Sequence, residues 1–110
     1  MNDLHERAHA FESRYAHDNE MKFKAEMRRD KLVGLWAAAL LGKAQGHESE
    51  KYAKEVIEAD FEEPGDEDVL RKVLSDLQTA GKGVTHDDVR KKMDELLVEA
   101  KAQVFGEADI

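Results

Sequence analysis

The chain has 110 residues, enough for one modest hydrophobic core, and its net charge at pH 7 is -8. This negative balance argues against nucleic acid as a partner, because phosphate binding needs a basic face. Cysteine is absent, which excludes disulfides and fits a reducing compartment. The longest apolar run, Leu32–Leu41, is about half of what a membrane span needs, and residues 1–20 lack the apolar core of a signal peptide. We therefore expect a cytoplasmic protein without direct membrane insertion.

The first segment, residues 1–19, is predicted to be an amphipathic arm. Its apolar stripe consists of Leu4, Ala8, Phe11 and Tyr15, which follow one another at steps of four, three and four residues and so lie on one narrow helix face. Ordering the backbone costs roughly 1–2 kcal/mol per residue, so this stripe is too thin to hold a terminal helix firmly on a core. Folding back onto the bundle is the weaker alternative to projecting outward toward a partner. The predicted contact residues of the arm are Leu4, Arg7, Phe11, Arg14 and Tyr15.

Helices are the default for the rest of the chain, which contains a single proline and few β-branched residues. The second segment, residues 20–41, is predicted to begin with a solvated, charged stretch through Lys31 and to become almost wholly apolar. The third runs from about residue 48 to 61 and stops before Pro64. The fourth and fifth begin at the predicted N-caps Asp66 and Thr85.

These segments predict an all-α fold, an antiparallel four-helix bundle with an N-terminal arm that is either disordered or an extension of the first helix. The predicted division is 1–19 for the arm, 20–105 for the bundle and 106–110 for a frayed tail. Burial of a large apolar side chain contributes roughly 1.5–3 kcal/mol. The side chains expected to supply most of this are Leu35, Trp36, Leu40, Ile57, Phe61, Leu74 and Leu97.

One motif resembles a zinc protease signature. His5, Glu6 and His9 match H-E-x-x-H, in which two imidazoles bind the metal and the glutamate activates water. The motif lies near the start of the chain, where no packed framework would hold ligand geometry. A chance match is the better interpretation, so we predict no metal site. The sequence also lacks a P-loop and a candidate nucleophile, and we predict that the protein is not an enzyme.

Three histidines, His5, His9 and His17, lie nearly on one side of the arm helix. An unperturbed imidazole titrates near pH 6.5, so protonation would make the arm strongly positive. A pH-sensing role is therefore one hypothesis for them. The other is that they are exposed imidazoles without a specific role.

Several blocks of the sequence resemble the zeta subunit of alphaproteobacterial F-type ATP synthases, a family of small inhibitor proteins. The two most specific blocks are the Lys31–Lys43 and Arg90–Leu97 segments. The resemblance covers nearly the whole chain and rests on Ala10–Glu12, Tyr15–Asp18, Phe23–Lys43, Tyr52–Val56, Ala59–Glu63 and Arg90–Leu97.

The resemblance implies a four-helix bundle whose N-terminal arm inserts between catalytic subunits of the synthase head and blocks rotation in the hydrolytic direction. The implied partners are the alpha, beta and gamma subunits, reached by a protein that is monomeric when free and peripheral to the membrane-bound enzyme. No cofactor is required, although family members are said to bind ADP or ATP weakly. No phosphate motif marks nucleotide-binding residues here. A nucleotide-binding sensor without strong inhibition is the alternative function, and a metal-dependent hydrolase ranks last.

Overall fold

A computed structural model describes residues 3–108 of the chain, with side chains from 17 to 107. It contains four α-helices: α1 Asp3–Leu40, α2 His47–Ala59, α3 Glu67–Thr79 and α4 His86–Ala108. The described residues form no strand, which confirms the predicted all-α class. α1 is continuous, so the arm is an extension of the first bundle helix, one of the two predicted alternatives.

α1 is the central element and packs against both α2 and α4. It approaches α2 closely at Gly34, where a Cβ atom would lie 2.5 Å from the Cα of Ala53. On another side of α1, Arg28 donates a hydrogen bond of 2.8 Å to Gln103 of α4. Trp36 is paired further along with Lys92, whose Nζ lies 5.8 Å from the indole ring. Residue numbers fall along α4 as they rise along α1, so these two helices are antiparallel.

The main core lies between the four helices and is made chiefly of small and branched side chains. Glycine and alanine on α1 allow a close approach, and valine, leucine and methionine fill the space that remains. A second, smaller cluster of Met21, Ala25 and Val104 packs α1 against the end of α4. The fully enclosed side chains of the main core include Val33, Val56, Val69, Leu70, Val73, Leu77, Val89 and Met93.

Two residues predicted to be buried are exposed. Leu40 has 37% of its surface accessible and Phe61 has 66%. Leu40 belongs to the last turn of α1, where α2 has already turned away through the loop at residues 41–46. Phe61 lies beyond the end of α2 at Ala59, in the turn that leads to α3. The apolar pattern of the sequence can continue to the end of a helix and beyond it, whereas the packing against neighbouring helices ends earlier.

The two predicted N-caps differ in what their side chains do. Thr85 Oγ1 accepts a hydrogen bond of 3.2 Å from the Asp88 amide, and Asp88 Oδ2 accepts one of 2.9 Å from the Thr85 amide. This reciprocal pair is a capping box and confirms the predicted start of α4. Asp66 precedes α3 as predicted, but its side chain makes no capping hydrogen bond. Arginine side chains occupy its carboxylate instead.

The α4 helix continues through Gly106 to Ala108, a longer helix than the sequence boundary at residue 105 suggested. The division into arm, bundle and frayed tail stays a prediction. Across the part of the chain that is described, no helix combines the length and apolar character needed to cross a bilayer.

Candidate functional site

The base of the arm carries a charged cluster, and two of its residues were predicted to be solvated. Arg29 and Asp30 were predicted to belong to a solvated stretch, and this is wrong: Arg29 is 4% exposed and Asp30 is fully buried. Asp30 lies three and four residues before Val33 and Gly34, so it continues the face of α1 that packs on α2. That spacing is the signal that could have identified it.

Arg29 connects α1 to the α2–α3 turn. Its Nε donates to Asp30 Oδ1 at 2.9 Å, and its Nη1 donates to Asp66 Oδ2 at 3.3 Å. Its Nη2 lies 3.9 Å from Asp60 Oδ2. One buried guanidinium therefore serves three carboxyl groups, which requires the planar, multiply donating head of arginine.

Arg90 extends the cluster to α4. It donates to Asp66 Oδ2 at 2.9 Å and pairs with Glu67 at the start of α3. Burial alone would raise the pKa of Asp66, but the hydrogen bond from Arg90 and the charges of Arg90 and Arg29 together lower it. Asp66 is therefore held as a carboxylate between two arginines. We call Arg29, Asp30, Asp60, Asp66 and Arg90 the base cluster.

Asp30 differs from the other carboxyl groups of the base cluster. Its Oδ2 atom is buried and has no hydrogen-bond donor. Burial, together with a hydrogen bond shared with Asp60, raises the pKa of Asp30 to about 8 despite the opposing charge of Arg29. A protonated Asp30 can donate from Oδ2 to Asp60, and this satisfies the orphaned atom.

A cavity of about 390 Å³ opens beside the base cluster. Lys22, Glu26 and Arg29 of α1 form one wall, and the α2–α3 turn forms the other through Asp60, Gly65 and Asp66. Both signs of charge line it, and its two arginine-bound carboxylates are already paired. We therefore interpret the residues that line this cavity as the solvated edge of a structural cluster.

A second cluster surrounds Tyr52, near the middle of α2. Lys43 Nζ and Lys72 Nζ lie 5.6 and 5.3 Å from the tyrosine ring centre, within cation–π range. The Tyr52 hydroxyl donates to Asp76 at 2.7 Å. Burial and this hydrogen bond raise the pKa of Tyr52. Lys51 lines the adjoining cavity of about 290 Å³, together with Glu48 and Glu55.

All five residues predicted to contact a partner lie outside the side chains that the structure describes. These are Leu4, Arg7, Phe11, Arg14 and Tyr15, and the same holds for His5 and His9 of the predicted pH-sensing set. Their backbone belongs to α1. His17 is described and is exposed, as are the three residues that follow it. The first buried residue of α1 is Met21, where packing against α4 begins.

The fold and the site define a small helical-bundle protein with a long first helix, fixed at its base by a buried ion network. A family model described as ATPase inhibitor subunit zeta matches residues 1–103. The chain therefore belongs to the ATPase inhibitor subunit zeta family, which confirms the resemblance drawn from the sequence.

A solved structure supports the same fold. The solved protein, whose structure was determined in solution by NMR, is 53% identical to the chain, and the two structures align with a TM-score of 0.69. The match covers 79% of this chain and 98% of the other. No curated protein matches the sequence.

Proposed function

We propose that this protein inhibits ATP hydrolysis by an F-type ATP synthase and that it acts by inserting the N-terminal part of α1 between catalytic subunits of the head. The observation that carries the proposal is the family match over residues 1–103. An inhibitor of this kind works by obstruction, so it needs a binding element and a rigid support and requires no catalytic group.

The structure of α1 suits an obstructing element. It is one continuous helix of 38 residues, about 57 Å long at 1.5 Å per residue. Residues 17–20 are exposed, and packing against the body begins at Met21. A helix without a break between the arm and the body transmits a load better than a flexible linker would.

The base of the arm is held on two sides. Arg28 pairs with Gln103 and Glu107 of α4, at 2.8 Å in each case. The neighbouring Arg29 holds the α2–α3 turn through Asp60 and Asp66. These contacts hold α1 from two sides, a little more than two helical turns after the exposed residues 17–20. They support a fixed direction for the arm.

We propose Phe11 and Tyr15 as the main anchors, with Leu4, Arg7 and Arg14 beside them, in a helix-in-groove contact with the alpha, beta and gamma subunits. Truncating a central aromatic anchor typically costs at least about 2 kcal/mol of binding, or about thirtyfold in affinity. Phe11→Ala and Tyr15→Ala should each weaken inhibition of a purified alphaproteobacterial synthase head by about this factor. Deletion of residues 1–19 should abolish it.

Phe61→Ala is the matched control, because Phe61 is an exposed phenylalanine outside the arm. Inhibition should be retained in this variant, and circular dichroism should show that all variants keep their helix content. Full inhibition by the protein lacking residues 1–19 would contradict an arm-based mechanism. Absence of inhibition by the full chain, tested on the enzyme from its own source, would contradict the proposal as a whole.

The second candidate function is adenine-nucleotide sensing, and the lysines around Tyr52 favour it. Lys43, Lys51 and Lys72 lie around Tyr52, and their ammonium groups can bind a phosphate. Glu48 and Glu55 in the same lining would limit affinity.

A nucleotide titration followed by amide chemical shifts tests this second candidate. ADP should shift amides around Tyr52 in the full chain and equally in the chain lacking residues 1–19. Lys51→Gln should weaken binding severalfold, while Lys54→Gln, an exposed lysine on the same helix outside the lining, should not. Saturable shifts that cluster elsewhere, or none, would exclude this pocket.

A further inference from the structure

Where the α2–α3 turn meets α1, two carboxyl groups, Asp30 and Asp60, face one guanidinium, that of Arg29. Asp30 on α1 is fully buried, and its Oδ2 atom has no donor partner. Asp60, just after α2, faces the same guanidinium as Asp30: Arg29 Nη2 lies 3.9 Å from Asp60 Oδ2, and Arg29 Nε donates to Asp30 Oδ1. Two ionised carboxylates cannot hydrogen-bond to each other, because each offers only acceptors.

The charged groups around this pair come from every element packed on it. Arg29 on α1 holds Asp30 at 2.9 Å and reaches Asp60 only at 3.9 Å. On the turn and α3, Asp66 shares Arg29, while Asp68 accepts hydrogen bonds from the amides of Glu63 and Val69. From α4, Arg90 is occupied by Asp66 and Glu67. At the cavity edge lie Lys22 and Glu26.

This arrangement leaves the pair short of positive charge. Arg29 is shared among Asp30, Asp60 and Asp66. Arg90 is directed at Asp66 as well, and at Glu67 of α3. Ionising both Asp30 and Asp60 would place two negative charges side by side in a low-dielectric site, and sharing one proton between them removes one of those charges.

We propose that Asp30 and Asp60 share one proton and that this proton fastens the α2–α3 turn to α1 at the base of the arm. Loss of the proton on alkalinisation converts a hydrogen bond into a repulsion and loosens the turn. The base of the arm is thereby sensitive to pH through the body of the protein, independently of the histidines of the arm.

The direction of the pH dependence follows from linkage. In the closed turn Asp30 holds its proton up to about pH 8, whereas in an opened turn it meets water and ionises near its usual value of about 4. The open state therefore binds fewer protons between these limits, and closure weakens as the pH rises. The opening equilibrium should rise by up to about tenfold per pH unit between about pH 5 and 7, and level off above about pH 8.

The first test is the titration of the Asp30 side-chain carboxyl in the full chain, followed by its ¹³C chemical shift. We expect a midpoint several pH units above the usual aspartate value. A midpoint near 4 would overturn the proposal.

The second test is amide hydrogen exchange in the turn, expressed as protection factors so that the intrinsic pH dependence of exchange is removed. Amides of Phe61, Glu62 and Glu63, which are hydrogen-bonded within the turn, should lose protection as the pH rises. The Lys82 amide, bonded to Leu77 in the α3–α4 turn, provides the internal reference.

Asp30→Asn separates the shared proton from other pH effects. An asparagine amide can accept from Arg29 and donate to Asp60, as the protonated acid does. Protection of the turn should then be independent of pH over the same range. Asp18→Asn, an exposed carboxylate on the same helix, and His17→Gln should both keep the wild-type dependence.

An unchanged pH dependence in Asp30→Asn would overturn the proposal, as would its loss in His17→Gln. If Asp30→Asn does not fold, the carboxyl titration of the wild-type chain decides alone. These measurements use the isolated protein, so their outcome does not depend on whether the chain inhibits ATP hydrolysis.

Discussion

Gly34→Ala is expected to lower the free energy of unfolding by about 2 kcal/mol, although alanine is the better helix former. The added Cβ would lie 2.5 Å from the Ala53 Cα and 3.0 Å from its Cβ. A backbone atom cannot turn aside as a flexible side chain can, so α1 and α2 must separate and the main core must loosen. Urea denaturation at pH 7 measures the change.

Gly106→Ala is the matched control for Gly34→Ala. Gly106 lies in α4 and nothing would stand within 4 Å of its Cβ atom. Only the helix propensity changes there, so we expect a gain of about 0.5 kcal/mol. The two substitutions should therefore have opposite signs. A gain in stability at both sites would show that the α1–α2 contact has room for a methyl group.

Arg29→Met is expected to lower the free energy of unfolding by about 3–5 kcal/mol at pH 7, the usual cost of removing one partner from a buried ion network. Methionine fills a similar volume, so the loss reflects charge more than packing. Asp60 and Asp66 would lose a buried cation, and Asp30 would lose the donor at Oδ1. The deficit should shrink as the pH falls toward about 5, because carboxyl groups without a cation take up protons more readily.

Arg71→Met provides the comparison for Arg29→Met. Arg71 pairs with Glu63 at 2.7 Å, but both side chains are more than half exposed. Exposed pairs contribute about 0–1 kcal/mol, so this variant should be close to wild type. Equal losses in the two variants would mean that the base cluster contributes no more than a surface ion pair.

Much of the secondary structure could be predicted from local chemistry. The start of α4 could be predicted from Thr85 and the three residues after it, because a capping box forms within a single helical turn. A break between α2 and α3 was expected from Pro64, which lacks the amide that a helix needs, although α2 ends at Ala59, two residues before the predicted end. The resemblance of sequence blocks such as Arg90–Leu97 was sufficient for the family, which the match over residues 1–103 confirms.

The candidate site was harder to predict, because it depends on what other elements bring to a residue. Arg29 and Asp30 were assigned to a solvated stretch on composition alone. Their burial depends on Asp60, Asp66 and Arg90, which are 30 to 61 residues away in the sequence. The same limit applies to Phe61, whose apolar character predicted burial although α2 had ended two residues earlier.

The sequence by itself determined the helices, the cap of α4, the amphipathic first segment and the family, since each is encoded in residues a few positions apart or in contiguous blocks. Only the tertiary structure decided that α1 is one helix joining the arm to the body and that α1 packs closely on α2 at Gly34. It also decided that a charged pair at the base of the arm is buried. The physical reason is that burying a charged side chain is costly unless it is paired. Here the pairing partners come from distant segments of the chain, so no local sequence pattern can predict the burial.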